Sequence, residues 1–119
     1  MPWNFDKDKS IFIQIVERIE SDIVSGKYAP GDKLPTVREL AVEAAVNPNT
    51  MQKAYGELER LGLVYTQRTN GRFVTDDVRL IEKTRKELAK KTAQEFLSKM
   101  KEIGISNEEA VKILSGGKA

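Results

Sequence analysis

The sequence contains no cysteine and no histidine among its 119 residues. Without cysteine it can form no disulfide framework and no thiolate metal site. Without histidine it lacks the usual zinc ligand and the usual base of a catalytic triad. The chain also shows no pairing of a nucleophile with a base and no glycine-rich loop of the kind that holds phosphate. We therefore expect no enzyme activity, no metal site and no cofactor.

Long apolar runs are also missing. No apolar stretch approaches the roughly 18 residues that a transmembrane helix needs. The N-terminal residues MPWNFDKDKS lack the basic segment followed by an apolar one that marks a signal peptide. These absences predict a cytoplasmic protein with no membrane partner. A chain of this length can hold one modest domain and an appendage.

The charge is nearly balanced, with 20 basic and 18 acidic residues and a net charge of +2. Such a balance does not by itself indicate nucleic-acid binding. Any surface that binds phosphate must come from local clustering of basic residues, with acids such as Glu57 and Glu59 placed elsewhere. The basic candidates in the first part of the chain are Lys33, Arg38, Lys53, Arg68 and Arg72.

Helix and turn signals follow one another in the first part of the chain. Apolar residues recur at three- and four-residue spacing after the candidate cap Ser10, which predicts an amphipathic helix to about Ser25. A proline-glycine turn covers residues 29–32. Thr36 and Glu39 then form a capping box, which predicts that a second helix begins there.

A third helix is predicted from Asn47 and Pro48, because asparagine is a favourable cap and proline suits the first helical position. Its predicted inward stripe is Met51, Ala54, Tyr55, Leu58 and Leu61, and its outward face at the start is Asn49, Thr50, Gln52 and Lys53. Alternating residues 63–66 and 72–75, separated by a turn at residues 68–71, predict a β-hairpin. This order of elements is that of a winged helix-turn-helix.

The C-terminal tail, residues 77–119, is predicted to be helical. It begins with a helix of about 27 residues, which would be about 40 Å long and longer than a small domain can cover. A second capping box at Ser106 and Glu109 predicts a shorter last helix. We expect the apolar stripe of the tail to be buried against a second subunit. The stripe consists of Ile81, Leu88, Phe96, Leu97, Met100 and Ile103.

The predicted fold is therefore mainly α-helical with a small β-hairpin. Residues 1–76 form a winged helix-turn-helix, and residues 77–119 form a helical dimerisation region. A two-fold dimer would place two copies of the third helix about 34 Å apart, which is one turn of DNA.

The third helix carries the chemistry that DNA reading requires. A helix in the major groove must present short polar side chains near its N-terminus, and asparagine and glutamine can pair with adenine through two hydrogen bonds. Asn49 and Gln52 meet this requirement. Such residues are more often the solvated face of an ordinary amphipathic helix. Here the capped helix before them and the basic hairpin after them favour DNA.

These residues also carry a family resemblance. The segments PGDKLPTVREL and AYGELERLGL, followed by NGRFV, resemble the DNA-binding domain of the GntR family of bacterial regulators. The resemblance covers Ile13 to Val74. It implies a dimeric winged helix that binds a palindromic double-stranded DNA operator. The short tail and the NPNT segment further resemble the YtrA subfamily, whose members lack a large effector domain and often control transporter genes.

The resemblance assigns DNA contacts to the TVREL arginine, the start of the third helix and the tip of the hairpin. We add Lys33 and Thr36, which lie beside the arginine. The predicted DNA-binding residues are Lys33, Thr36, Arg38, Asn47, Asn49, Thr50, Gln52, Lys53, Arg68, Thr69, Asn70, Gly71 and Arg72. Ala45 stands where the family usually has glycine, so a left-handed backbone there would cost about 1 kcal/mol.

The main alternative is a winged helix that binds another protein or RNA, with the basic tail as its contact surface. The short polar face at Asn47 to Lys53 and the basic hairpin argue against it, because docking to a protein requires neither. The sequence leaves open the operator, the regulated genes, the direction of regulation and whether a small molecule acts as effector.

Overall fold

The computed structural model describes residues 2–116. Within them the elements are α1 (Ile11–Val24), α2 (Val37–Ala44), α3 (Pro48–Arg60), β1 (Val64–Gln67), β2 (Gly71–Val74), α4 (Val78–Glu102) and α5 (Asn107–Leu114). The mainly helical fold with one antiparallel hairpin is confirmed. None of the described helices is both long enough and apolar enough to cross a membrane.

The helices begin where the sequence places caps. Ser10 accepts a hydrogen bond from the backbone N–H of Ile13 and starts α1. Both predicted capping boxes are present, one at the start of α2 and one at the start of α5. Asp77 caps α4, because its carboxylate accepts hydrogen bonds from the N–H groups of Arg79 and Leu80 at 3.1 Å.

The chain divides into two compact units between Arg85 and Lys86, within α4. In the first unit, α1 and α2 both pack against α3, and β1 packs against the same helix. The core is formed by the inward faces of these elements and by Trp3, which is 8% exposed. The largest fully buried side chains are Tyr55, Ile15, Ile19, Ile23, Leu40, Met51, Leu58, Leu63, Val64 and Val74.

The hairpin pairs Val64 with Val74 and Gln67 with Gly71. Its second strand begins at Gly71, one residue before the predicted position, and includes Arg72 as expected. A third extended segment joins the other edge of β2. There the N–H of Gly31 donates to Val74, and the N–H of Leu34 donates to the carbonyl of Arg72 at 2.8 Å. The wing is thus tied to the chain that precedes α2.

One predicted core position is wrong. Leu61 is the C-cap of α3 and is 36% exposed, whereas Met51, Ala54, Tyr55 and Leu58 are buried as expected. The reason is the turn that follows. Gly62 has a φ of +83° and turns the chain toward β1, so the buried apolar residue at this point is Leu63.

In the second unit, α5 buries Ala110 completely. Gly104, with a φ of +84°, and Ile105 provide the turn between the two helices, where the N–H of Ile105 donates to the carbonyl of Met100 at 2.9 Å. Several large apolar side chains of this unit stay exposed in the single chain. They are Phe96, Ile103, Val111, Ile113 and Leu114.

Candidate nucleic-acid interface

The N-terminal turn of α2 presents an arginine from a rigid support. The hydroxyl of Thr36 accepts from the N–H of Glu39 at 3.1 Å, and the N–H of Thr36 donates to the Glu39 carboxylate at 2.9 Å. These hydrogen bonds, chiefly the one from the Thr36 backbone, lower the pKa of Glu39. Arg38 projects from the same turn, is exposed and has no ion-pair partner within residues 2–116. Its guanidinium is therefore available for a phosphate or a base.

The turn between α2 and α3 is made by a left-handed alanine. Ala45 has a φ of 60° and a ψ of 48°, and its N–H donates to the end of α2. The N–H of Val46 returns to the carbonyl of Ala41 at 3.0 Å. This arrangement ends α2 abruptly and sets the start of α3 within three residues. The strain expected for an alanine at this position is therefore present.

The start of α3 exposes the predicted reading face. Asn47 is the cap, and its side-chain oxygen accepts from the N–H of Asn49 at 2.7 Å. Asn49, Gln52 and Lys53 are exposed, and Thr50 is half-buried. Met51 lies on the opposite, core-facing side and is fully buried. The helix is therefore anchored on one face and leaves its polar face free over the first two turns.

The wing turn is exposed and carries basic charge. Arg68, Thr69 and Asn70 form the turn between the strands, where the Asn70 amide donates to the Gln67 side chain at 3.2 Å. Gly71 has a φ of +100°, and a Cβ there would lie 3.1 Å from the Cε of Lys33. The Lys33 side chain therefore lies against the wing turn. The fold thus brings Lys33 to the wing, although the sequence places it next to α2.

Arg72 is the clearest departure from the predicted site. It was predicted to begin the return strand and to contact DNA at the wing tip, and it lies in β2 opposite Thr66. Only 26% of its side chain is exposed, and its guanidinium carbon is 5.4 Å from the ring centre of Tyr55. Its Nε lies 4.0 Å from the Glu59 carboxylate. Arg72 therefore faces α3.

Two residues of α3 have roles that were not predicted. Glu59 was expected to lie away from the basic cluster, yet it accepts a hydrogen bond from Thr66 and faces Arg72. Tyr55 was assigned to the core, and it is fully buried, but its hydroxyl also donates to the carbonyl of Pro35 at 2.7 Å. Burial raises the pKa of Tyr55 well above its usual range, so the hydroxyl remains a donor.

The tail residues predicted to form a dimer contact differ in exposure. Phe96 is 36% exposed and Ile103 is 73% exposed. Leu88, Leu97 and Met100 are half-buried within the single chain. Ile81 packs against the core of the first unit and is not a free surface residue. The accessible part of the stripe therefore lies toward the end of α4.

A positioning helix, a capped polar helix and a basic wing together define a winged helix-turn-helix of the DNA-binding class. The model of the family "Bacterial regulatory proteins, gntR family" matches residues 13–74. The chain belongs to this family, and it is a transcriptional regulator of the helix-turn-helix type that binds DNA.

Two relatives from Bacillus subtilis indicate where in the family the chain falls. The uncharacterized HTH-type transcriptional regulator YhcF is 39% identical over 108 residues, which are 91% of this chain and 89% of the relative. The HTH-type transcriptional repressor YtrA is 44% identical over 69 residues, or 58% of this chain and 53% of the relative. The likeness to YhcF thus extends through the tail, and that to YtrA covers a little over half of each chain.

Solved structures agree with the fold. A GntR family transcriptional regulator from Listeria monocytogenes aligns with a TM-score of 0.85 and 42% identity, over 96% of this chain and all of the other. The DNA-binding domain of AraR in complex with operator ORX1 aligns with a TM-score of 0.54 and 33% identity. That alignment covers 63% of this chain and 92% of the AraR chain.

Proposed function

We propose that this protein is a homodimeric repressor that binds a palindromic operator through α3 and the wing. The observation that carries the proposal is the exposed polar face of Asn49, Gln52 and Lys53 on a helix whose other face is fixed in the core. Phosphate contacts alone would need only positive charge. Amide side chains at the start of a recognition helix add groups that can distinguish base pairs.

The surrounding cations support the same orientation on DNA. Arg38 at the start of α2 and Arg68 in the wing turn are exposed, and Lys33 lies against that turn. We assign contacts with the DNA phosphate backbone to these three residues and to Thr69 and Asn70. Thr36 and Asn47 are engaged as caps, so we expect them to contribute by holding the starts of α2 and α3 in place. Arg72 faces α3 and is not proposed to contact DNA directly.

Dimerisation is supported by the tail. Phe96, Ile103, Val111 and Leu114 are large apolar side chains that remain exposed in one chain. A second copy placed on these residues would bury them, and a two-fold axis would turn two recognition helices toward successive major grooves. We assign the interface to Leu88, Phe96, Leu97, Met100 and Ile103, with α5 beside them.

Repression is proposed because the relative YtrA is a transcriptional repressor. The resemblance to the YtrA subfamily makes transporter genes the first targets to examine. The chain would repress by occupying DNA that the transcription machinery needs.

Selection of bound fragments from a random double-stranded DNA pool tests the proposal. The expected result is an inverted repeat whose half-sites are separated by about one helical turn, or roughly 10 base pairs between centres. A single unrepeated site would contradict the dimeric arrangement. Recovery of no enriched sequence, together with weak binding that vanishes at moderate salt, would contradict sequence-specific recognition.

A further inference from the structure

The carboxylate of Glu59, on the recognition helix α3, lies beside one side chain from each strand of the wing. Thr66 and Arg72 are directly opposite each other across the hairpin. The Thr66 hydroxyl donates to Oε1 of Glu59 at 2.5 Å, and the Nε of Arg72 lies 4.0 Å from that same oxygen. One atom of α3 is therefore the common neighbour of both strands of the wing.

Arg72 is held in place by partners within the chain. Its Nε is buried without a hydrogen-bond partner among the described residues, so the nearby Glu59 carboxylate is the charge that offsets its desolvation. The guanidinium lies over the ring of Tyr55, which adds a cation–π attraction. The backbone carbonyl of Arg72 accepts from the N–H of Leu34.

Tyr55 also connects this flank of α3 to the start of α2, which is the third segment proposed to face DNA. Tyr55 donates to the carbonyl of Pro35, which stands immediately before the cap of α2. Tyr55 and Glu59 are four residues apart on α3 and so lie on one flank of the helix. Through that flank, α3 is connected both to the wing and to the start of α2.

We propose that Glu59 is a positioning residue that sets the wing against the recognition helix, and that Arg72 and Thr66 act through it. The consequence for DNA rests on the function proposed above. Base contacts by Asn49 and Gln52 and backbone contacts by Arg68 can form together only when the wing stands at a fixed place relative to α3. Glu59 contributes to affinity without touching DNA.

The direction in which DNA affinity changes when Glu59 is removed distinguishes a positioning role from a purely electrostatic one. A carboxylate near a DNA-binding face repels phosphate, so charge alone predicts that removing Glu59 tightens binding. A positioning role predicts the opposite. Glu57 is a matched control, because it is two residues away on α3 and, among residues 2–116, its carboxylate pairs only with Arg60 of the same helix.

The first experiment measures the wing position without DNA. Because the chain has no cysteine, Lys53→Cys and Asn70→Cys allow two spin labels, one on α3 and one in the wing turn. Labelled protein is diluted in unlabelled protein so that only distances within one chain are recorded by pulsed electron resonance. We expect Glu59→Ala to broaden or shift the distance distribution and Glu57→Ala to leave it unchanged.

Two further variants keep this experiment decisive. Glu59→Gln retains an acceptor for the Thr66 hydroxyl and should restore much of the original distribution. If circular dichroism shows that Glu59→Ala is unfolded, Thr66→Val replaces it, because valine matches threonine in shape and removes only the hydroxyl. A distribution in the folded Glu59→Ala or Thr66→Val variant that matches the Glu57→Ala control overturns the proposal.

The second experiment measures binding to the selected operator with unlabelled protein. We expect Glu59→Ala to weaken binding by about 3- to 10-fold, as is typical for residues coupled in one hydrogen-bond network, and Glu57→Ala to leave binding unchanged or tighter. Binding of Glu59→Ala that equals or exceeds that of Glu57→Ala overturns the effect on DNA. If the wild-type protein selects no operator, the proposed function fails, and the spin-label distances still decide the positioning role.

Discussion

The side-chain oxygen of Asn47 accepts a hydrogen bond from the backbone N–H of Asn49, 2.7 Å away. This contact gives two neighbouring asparagines different roles. Asn47 uses its acceptor to begin α3, whereas the side chain of Asn49 remains exposed on the reading face. Both were predicted as DNA contacts, and they can now be tested separately.

We expect Asn47→Ala to lower the free energy of unfolding by about 1 kcal/mol, because alanine cannot cap the helix. Asn47→Asp should keep the stability, since aspartate caps as well as asparagine, but should weaken DNA binding through its added negative charge. Urea unfolding and operator titration measure the two effects. An Asn47→Ala variant with an unchanged free energy of unfolding would show that this cap does not stabilise the protein.

Base reading is tested by Asn49→Ala and Gln52→Ala. Both side chains are exposed, so the variants should unfold like the wild type. Each should lose roughly 1 to 3 kcal/mol of binding free energy on the operator and relax the preference at one base pair per half-site. Non-specific binding should change little, because phosphate contacts remain. Unchanged base preferences in both variants would refute the assignment of α3 as the reading helix.

The left-handed turn predicts a stabilising substitution. Ala45 has a φ of 60° and is exposed, so Ala45→Gly removes backbone strain without creating a cavity. We expect the free energy of unfolding to rise by about 1 kcal/mol. The control Ala44→Gly, at a buried helical position, should destabilise by about as much or more. Equal losses in both variants would show that the φ of residue 45 does not strain the chain.

The tail interface is tested by Phe96→Asp and Ile103→Asp. Both side chains are exposed in the single chain, so aspartate should not unfold the monomer. In a dimer it would bury an unpaired charge, and we expect sedimentation to show dissociation. Glu87→Lys changes the charge by two units at an exposed position on the other side of α4 and should leave the assembly intact. A dimer that survives both apolar-to-aspartate changes would place the interface elsewhere.

Acid should weaken the start of α2. Hydrogen bonds from Thr36 lower the pKa of Glu39 below its ordinary 4.5, so the folded state takes up this proton less readily than the unfolded chain. The stabilisation is complete above the unfolded pKa and is lost as the pH falls through the lower folded value. We expect Glu39→Gln, which can still form the capping box, to show a shallower loss of stability as the pH falls below 4.5. An identical acid slope in both proteins would contradict this contribution.

Helix starts and turns could be predicted from the sequence because their causes are local. Ser10, Thr36, Asn47 and Ser106 each cap within three residues, and the structure confirms all four. The position of Arg72 could not be predicted in this way. The sequence placed Arg72 in the return strand but gave no sign of which face of the hairpin packs against α3, because tertiary packing decides that face.

The roles of Glu59 and Tyr55 were missed for a related reason. Their spacing reports only that they share one flank of α3, and their partners Thr66, Arg72 and Pro35 come from segments placed by tertiary packing. In the tail, amphipathic spacing identifies an apolar face but not what covers it. Ile81 shows the difference, because it has the correct spacing and packs against the first unit.

The pairing of β2 with the segment around Gly31 and Leu34 also affects how the domain folds. These backbone hydrogen bonds join residues on either side of α2 and α3, so both helices lie inside a loop that β2 closes. Closing a loop costs chain entropy before its contacts are formed, whereas helical turns form locally and fast. The helices should therefore organise first and the wing should attach last. By the same reasoning we expect the native domain to open first at the wing, and such partial opening would disengage the wing from DNA while the reading helix stays folded.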